Sequence, residues 1–495
     1  MAARASTRGY STPLPKLQLS ITFLVQIAEP ITNSVIFPFI NQEIIELGIT
    51  DDPKKVGYYV GLIISLFFFT EFLCVLHWGR LSDRIGRRPV ILTGLFGLTL
   101  SMVCFGFSKT LVQLIISRAL AGALNANMGV IKSMMREITD ETNFPKAAAF
   151  MPLVWTGGEA IGPFLGGTLS RPYDRFPTLF HSELWKTYPY LLPCISAACF
   201  PIVSFILGFL YLKESAPAVV QKSTSGSGSI GALERYQDAP GGSERTPLLS
   251  DNVDVAPSSP PPSTSLRDVL TRPVVIAVLN YACLCLTDIA VIVVQPLYLS
   301  TPIEFGGLGL SPPQIGLILG IGGFCAGLFQ AVFFASLYER FGAKRVYIFS
   351  MSSYIPTIIA WPIINALARK LGRSHPWVWT VLVLQQLCLY LITPAFSCLM
   401  IYVSSAAPSR AQLGATNGLA QAVASLMRAI GPYSATSLFA FSIDHNVLGG
   451  TFVYWVLLFI AVMGIAVGTM LPKHATEAEA ERHMHHQRGA GEGVS

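Results

Sequence analysis

Charge is what this sequence has least of: 13% of its 495 residues are Asp, Glu, Lys or Arg, about half the share found in soluble globular chains. With 52% of the chain hydrophobic, a water-soluble domain is excluded and an integral membrane protein is expected. Other absences narrow the class. No alternation of short strands is present, which excludes a membrane β-barrel. A phosphate-binding glycine loop, a G-x-S-x-G elbow and an H-E-x-x-H helix are all lacking, so the chain reads neither as an ATP-driven pump nor as an enzyme, and no cofactor or metal site is implied. The cysteines, Cys74, Cys104, Cys194, Cys199, Cys283, Cys285, Cys325, Cys388 and Cys398, all lie in apolar runs and form neither a disulfide framework nor a ligand set. There is no N-x-S/T sequon and no cleavable apolar leader before the first long run. The net charge of +6 sits in loops and calls for no nucleic-acid partner.

Long apolar runs dominate what remains. About 18 such residues span the hydrocarbon core as a helix, and runs of this kind fall near 18–40, 56–78, 89–108, 111–133, 146–169, 188–212, 272–297, 313–337, 345–366, 376–404, 411–441 and 450–471. The fold expected is all-α, with twelve transmembrane helices in the bilayer. Lys and Arg concentrate in the loops that are cytoplasmic if the N-terminus is, so both termini are expected on that side.

The segment 214–268 is rich in Ser, Gly and Pro and too poor in apolar residues to offset the entropy of ordering. It reads as a disordered cytoplasmic linker between two six-helix halves, 18–213 and 269–472, flanked by tails 1–17 and 473–495. Within it, "ERTPLL" sets Glu244 ahead of Leu248 and Leu249, an arrangement resembling acidic dileucine signals read by sorting adaptors.

The halves are related. At an offset of 256 residues "GRLSDRIGRRPV", from Gly79, aligns with "ASLYERFGAKRV", from Ala335, pairing Asp83 with Glu339, Arg84 with Arg340 and Gly86 with Gly342. A second match sets Ala160-Ile161-Gly162-Pro163 of the fifth span against Ala429-Ile430-Gly431-Pro432 of the eleventh. Two matches at corresponding helices indicate a duplicated six-helix unit, as in many transporters.

These residues resemble the signatures of the major facilitator superfamily. Gly79, Leu81, Asp83, Arg84, Gly86, Arg87 and Arg88 fit its loop motif G-x-L-x-D-R-x-G-R-R. Gly158, Gly162, Pro163, Gly166 and Gly167 fit its fifth-helix motif G-x-x-x-G-P-x-x-G-G, associated with antiporters, and Arg118 and Gly122 fit its fourth-helix motif. "EPITNSVIFPFI" and "YPYLLPCISAACF" look like the zinc-induced-facilitator-like branch and its fungal relatives, grouped with drug:proton antiporters; "LKESAP" after the sixth span differs from that branch's P-E-T-x-H ending. The resemblance covers 18–472. It implies a coupling role for Arg118, and a conformational gate at the loop made by Gly79, Asp83, Arg84, Gly86, Arg87 and Arg88 with its second copy at Glu339 and Arg340.

Charged groups inside spans cost about 2.5 to 3.5 kcal/mol each if they face lipid. Glu29, Glu71, Arg118, Glu159, Asp288 and Arg428 must therefore face protein or water, and as intramembrane ionisable groups they are candidates for proton or substrate sites. Glu29 and Asp288 lie at nearly equal depth in the first and seventh spans. Glu29 could pair with Arg118, and Glu159 with Arg428, since the last two each precede "AIGP". Asn125, Trp155, Gln330, Gln385 and Gln386 are candidate cavity residues. Gly158, Gly162 and Gly166 form a stripe that lets a neighbouring backbone approach, and Pro163 can bend the helix.

The expectation is a secondary transporter working by alternating access, with protons and a small organic molecule exchanged across a vacuolar or plasma membrane by a monomer. A proton symporter, a nutrient facilitator and a non-transporting receptor on the same fold remain the alternatives.

Overall fold

The structure, a computed structural model, describes residues 13–125, 127–140, 143, 147, 150–216, 270–408 and 412–473. Glu244, Leu248 and Leu249 lie outside these residues. No strand occurs among the described residues, as a bilayer requires of a chain that must satisfy its backbone polar groups within each segment.

In the first half the described helices of seven residues or more are α1 (Lys16–Ser34), α2 (Ile40–Glu46), α3 (Val56–Ile85), α4 (Arg87–Gly106), α5 (Leu111–Leu124), α6 (Asn127–Ile138), α7 (Met151–Leu169) and α8 (Leu191–Tyr211). The second half has α9 (Arg272–Ser300), α10 (Pro312–Phe341), α11 (Ala343–Ser352), α12 (Tyr354–Leu371), α13 (Pro376–Tyr390), α14 (Pro394–Ser405), α15 (Leu413–Asp444) and α16 (Phe452–Thr469). Nine helical stretches among the described residues are long and apolar enough to cross a membrane. Three more rods pack in the same bundle: α1 with α2, α7 and α15. These three carry Glu29, Glu159 and Arg428.

Boundaries follow local chemistry. Proline, whose missing N–H costs nothing at a helix start, begins α10, α13 and α14; Ser311 and Gln314 form a capping box at α10. Gly86 and Gly342, aligned in the repeat, break the chain between consecutive helices with φ of 108° and 78°, a region that only glycine enters without strain.

Within the first half α1 packs on α7 and α8, α4 on α8, and α3 on α5; in the second, α9 packs on α15 and α16. The halves meet along two seams, α3 against α15 and α7 against α10. In repeat terms each seam joins the second span of one half to the fifth of the other. The interface therefore has the pseudo-two-fold relation that the duplicated sequence implies.

Candidate functional site

The expected charges gather at one level. Glu71 is residue 16 of the 30 in α3, Asp288 lies midway along α9 and Arg428 midway along α15. Arg428 interacts electrostatically with Asp288 and Glu71, and its field also reaches Glu29 and Glu159. Lys132 of α6 interacts with Glu29 and Arg428 and donates to Gln421 Oε1 of α15 at 2.9 Å, a bond between the halves. Four carboxylates and two cations thus share the centre. Glu29 is buried, whereas Glu71, Glu159, Asp288 and Arg428 are half-buried.

Trp155 organises one side of this centre. Its indole N–H donates to Glu159 Oε1 at 2.8 Å, and its face lies 5.4 Å from the Arg428 guanidinium, a cation–π contact. The expected direct ion pair between Glu159 and Arg428 is not formed within 4 Å; the ring stands between them. Tyr354 of α12 donates to Asp288 Oδ1 at 3.0 Å.

Arg118 stands apart from this centre. It is buried, donates to Asn33 Oδ1 and lies over the Phe67 ring at 4.9 Å. No carboxylate pairs with it within 4 Å among the described residues, so the expected partner, Glu29, is replaced by the amide one helical turn further along α1. Asn125 sits beside Glu29, buried at the end of α5.

The amide candidates form a second network in the other half. Gln295 Oε1 accepts from Trp361 Nε1 at 2.9 Å and Gln385 Nε2 at 3.1 Å, and Gln386 donates to Gln385 at 3.3 Å. Gln330 donates to Ser397 at 2.7 Å, leaving its buried oxygen without a donor. Gln295 and Trp361 are additions to the expected set.

The glycine stripe has a definite neighbour. A side chain at Gly158 would meet Pro30 of α1, one at Gly162 would come within 2.7 Å of the Ile31 carbonyl, and one at Gly166 would run into the Val35 carbonyl. Gly167 faces the other way, with Gly316 of α10 at 2.7 Å from where its Cβ would stand. Helix α7 is thereby clamped between α1, which carries Glu29, and the opposite half. The other seam is as close: a Cβ at Gly61 would lie 2.9 Å from Tyr433 Cα of α15, and Ser65 Oγ accepts from the Tyr433 N–H at 2.8 Å. Asn41 donates to Ser300 Oγ at 2.6 Å, joining the halves at the end of the bundle remote from the Gly79–Pro89 loop.

At that loop Arg87 pairs with Asp83 at 2.6 Å and with Glu137 at 3.0 Å. Asp83 is 63% exposed, and its ion pair lies within its own loop; no ion pair joins it to the second half among the described residues. The departure "LKESAP" has a structural role. Glu214, the first residue of the expected linker, accepts from the N–H groups of Arg87 at 2.7 Å and Arg88 at 3.1 Å, capping α4, and its carboxylate fills the space beside Gly86. Cations of the two copies cap equivalent helices, Arg88 donating to the Phe209 carbonyl of α8 and Lys344 to the Thr469 and Leu471 carbonyls at the end of α16.

Glu214→Ala is expected to destabilise the protein by about 1 to 2 kcal/mol, the cost of losing a helix cap. Asp83→Asn, at an exposed pair, should cost under about 1 kcal/mol. Thermal unfolding in detergent checks the order of the two.

Residues 22–432 match the profile of the Major Facilitator Superfamily. The chain belongs to that family. It is 32% identical over 480 residues to the "Major facilitator-type transporter psiT2" of Psilocybe cyanescens, covering 91% of this chain and 89% of that one. It is 31% identical to the "Major facilitator superfamily multidrug transporter mfsB" of Aspergillus fumigatus, over 84% of this chain and 77% of the other, and 28% identical to "Protein ZINC INDUCED FACILITATOR 1" of Arabidopsis thaliana, over 93% and 91%. Among solved structures, a D-xylose–proton symporter shares the fold, with a TM-score of 0.66 at 14% identity over 94% of this chain and all of that one. This is therefore a multi-pass membrane transporter of the major facilitator fold, and not an enzyme.

Proposed function

We propose that this transporter moves a small organic molecule outward from the cytoplasm, or into a vacuole, in exchange for protons, with both termini cytoplasmic. The observation that carries this reading is the charge balance at the centre: Glu29, Glu71, Glu159 and Asp288 exceed Arg428 and Lys132 by two. Uncompensated buried charge costs several kcal/mol per ion. The excess is neutralised either by protons or by a cationic group of the substrate, and competition between the two for the same carboxylates is antiport. Residues from both halves contribute, so rocking of one half against the other exposes the centre alternately to each side. The names of the multidrug relative and of an "Efflux pump azaK" support the outward direction. Each charge moved is worth about 2.3 kcal/mol per 100 mV, enough to sustain a gradient of tens-fold.

In this reading Trp155, Asn125, Gln330, Gln385 and Gln386 line the path, the Gly158–Gly167 stripe couples α7 to α1, and the two loop copies act as the cytoplasmic gate. A transported compound added to purified protein in weak buffer should release protons, and Glu29→Gln should release fewer. Binding with no proton release by wild type would remove the basis for exchange.

A further inference from the structure

The second copy of the loop motif differs from the first in one respect that the transport reading does not use. In the first half Arg87 is held by Asp83 and Glu137 and Arg88 by the Phe209 carbonyl and ring; exposed Arg80 and Arg84 form no ion pair within 4 Å among the described residues, and Pro89 stands where the second copy has Arg345. In the second, Lys344 is spent on the end of α16, but exposed Arg340 and Arg345 form no ion pair within 4 Å among the described residues. Directly beside Arg345 is a cavity of about 330 Å³ lined by Phe329, Leu337 and Phe341 of α10, Val346, Phe349 and Ser350 of α11, and Leu391 and Pro394 of the α13–α14 rod. Its wall is almost wholly apolar. Along α10 it runs from Phe341 to Phe329, twelve residues, which at 1.5 Å per residue is about 18 Å, comparable to half the thickness of a bilayer's hydrocarbon core. Phe341 and Phe349, which line it, are exposed.

A cation at the surface over an apolar slot of acyl-chain length is complementary to one kind of occupant. We propose that this groove holds an anionic phospholipid of the cytoplasmic leaflet, with its phosphate at Arg345, Arg340 adding to the local field, and one acyl chain between α10 and α11. A zwitterionic lipid would fill the slot as well but gain less at the headgroup, since a basic residue near an anionic membrane surface contributes about 1 kcal/mol. The site sits where the two helices joined by the Gly342 break diverge, so a bound lipid bears on the hinge of the second gate copy. The choice of leaflet rests on the orientation proposed above.

Native mass spectrometry of the full-length protein, purified in detergent and equilibrated with phosphatidylserine or phosphatidylcholine, tests this. Wild type should retain phosphatidylserine in preference, and Arg345→Gln should reduce that retention about fivefold. Equal retention of the two lipids by wild type, or unchanged phosphatidylserine retention in Arg345→Gln, would overturn the proposal. So would displacement by glycerol 3-phosphate, which carries a phosphate without chains. Labelling of Arg345→Cys above the wild-type background in intact cells, by a membrane-impermeant thiol reagent, would move the site to the other leaflet and separately refute the orientation.

Discussion

Alanine in place of Arg428 is expected to abolish transport and to destabilise the protein by about 1 to 3 kcal/mol, since it removes the cation whose field reaches four carboxylates. The guanidinium interacts with acids on four helices, Glu29, Glu71, Glu159 and Asp288, and it also rests on Trp155. Removing it leaves Lys132 as the remaining cation of the cluster. Arg428→Lys keeps the charge but loses the planar stacking on the indole, so it should recover much of the stability and little of the transport. Unfolding midpoints in detergent and flux in vesicles separate the two losses. Near-wild-type flux in Arg428→Ala would mean that the central charges serve packing alone.

The second large effect is steric. A leucine at Gly166 would drive into the main-chain carbonyl of Val35, and main chain cannot turn aside as a side chain can. Overpacking of this kind costs about 1 to 3 kcal/mol. Because α7 also touches α10 through Gly167, the displacement reaches the seam between the halves, and flux should fall at least tenfold. Gly418, which has no neighbouring atom within 4 Å of where a Cβ would stand, is the control: Gly418→Leu should be tolerated. Comparable flux in both variants would show that the stripe does not constrain movement.

Much of this architecture is legible in the sequence because a bilayer leaves few options: apolar runs of sufficient length become helices, and intramembrane charges must turn inward. The repeat is legible too, and it anticipates the reciprocal seams, since Gly79–Pro89 and its copy fix which spans correspond. Partnerships are harder to read. Glu29 and Asn33 lie one turn apart on the same face of α1, so nothing in the pattern tells which will meet Arg118. Trp155 and Glu159 have the same spacing within α7, but the cation over the ring comes from α15, and only the packed structure brings it there.

Lys132 escapes a reading of the sequence for a related reason. It falls near the end of an apolar run, where a lysine reads as a boundary residue, yet the helix continues to Ile138 and carries it into the centre. Tyr354, Glu137 and Glu214 act through contacts between helices distant in sequence. Of these only Glu214 has a signal, since it occupies the glutamate of the ending that "LKESAP" otherwise departs from.

The most direct test of the central claim is flux in proteoliposomes with an imposed pH gradient, screened against organic cations, metal chelates and organic acids. The account predicts that at least one compound accumulates on the acidic side, that collapsing the gradient with a protonophore stops accumulation, and that Glu29→Gln exchanges the compound without being driven by pH. Movement that is indifferent to the gradient for every transported compound would contradict it.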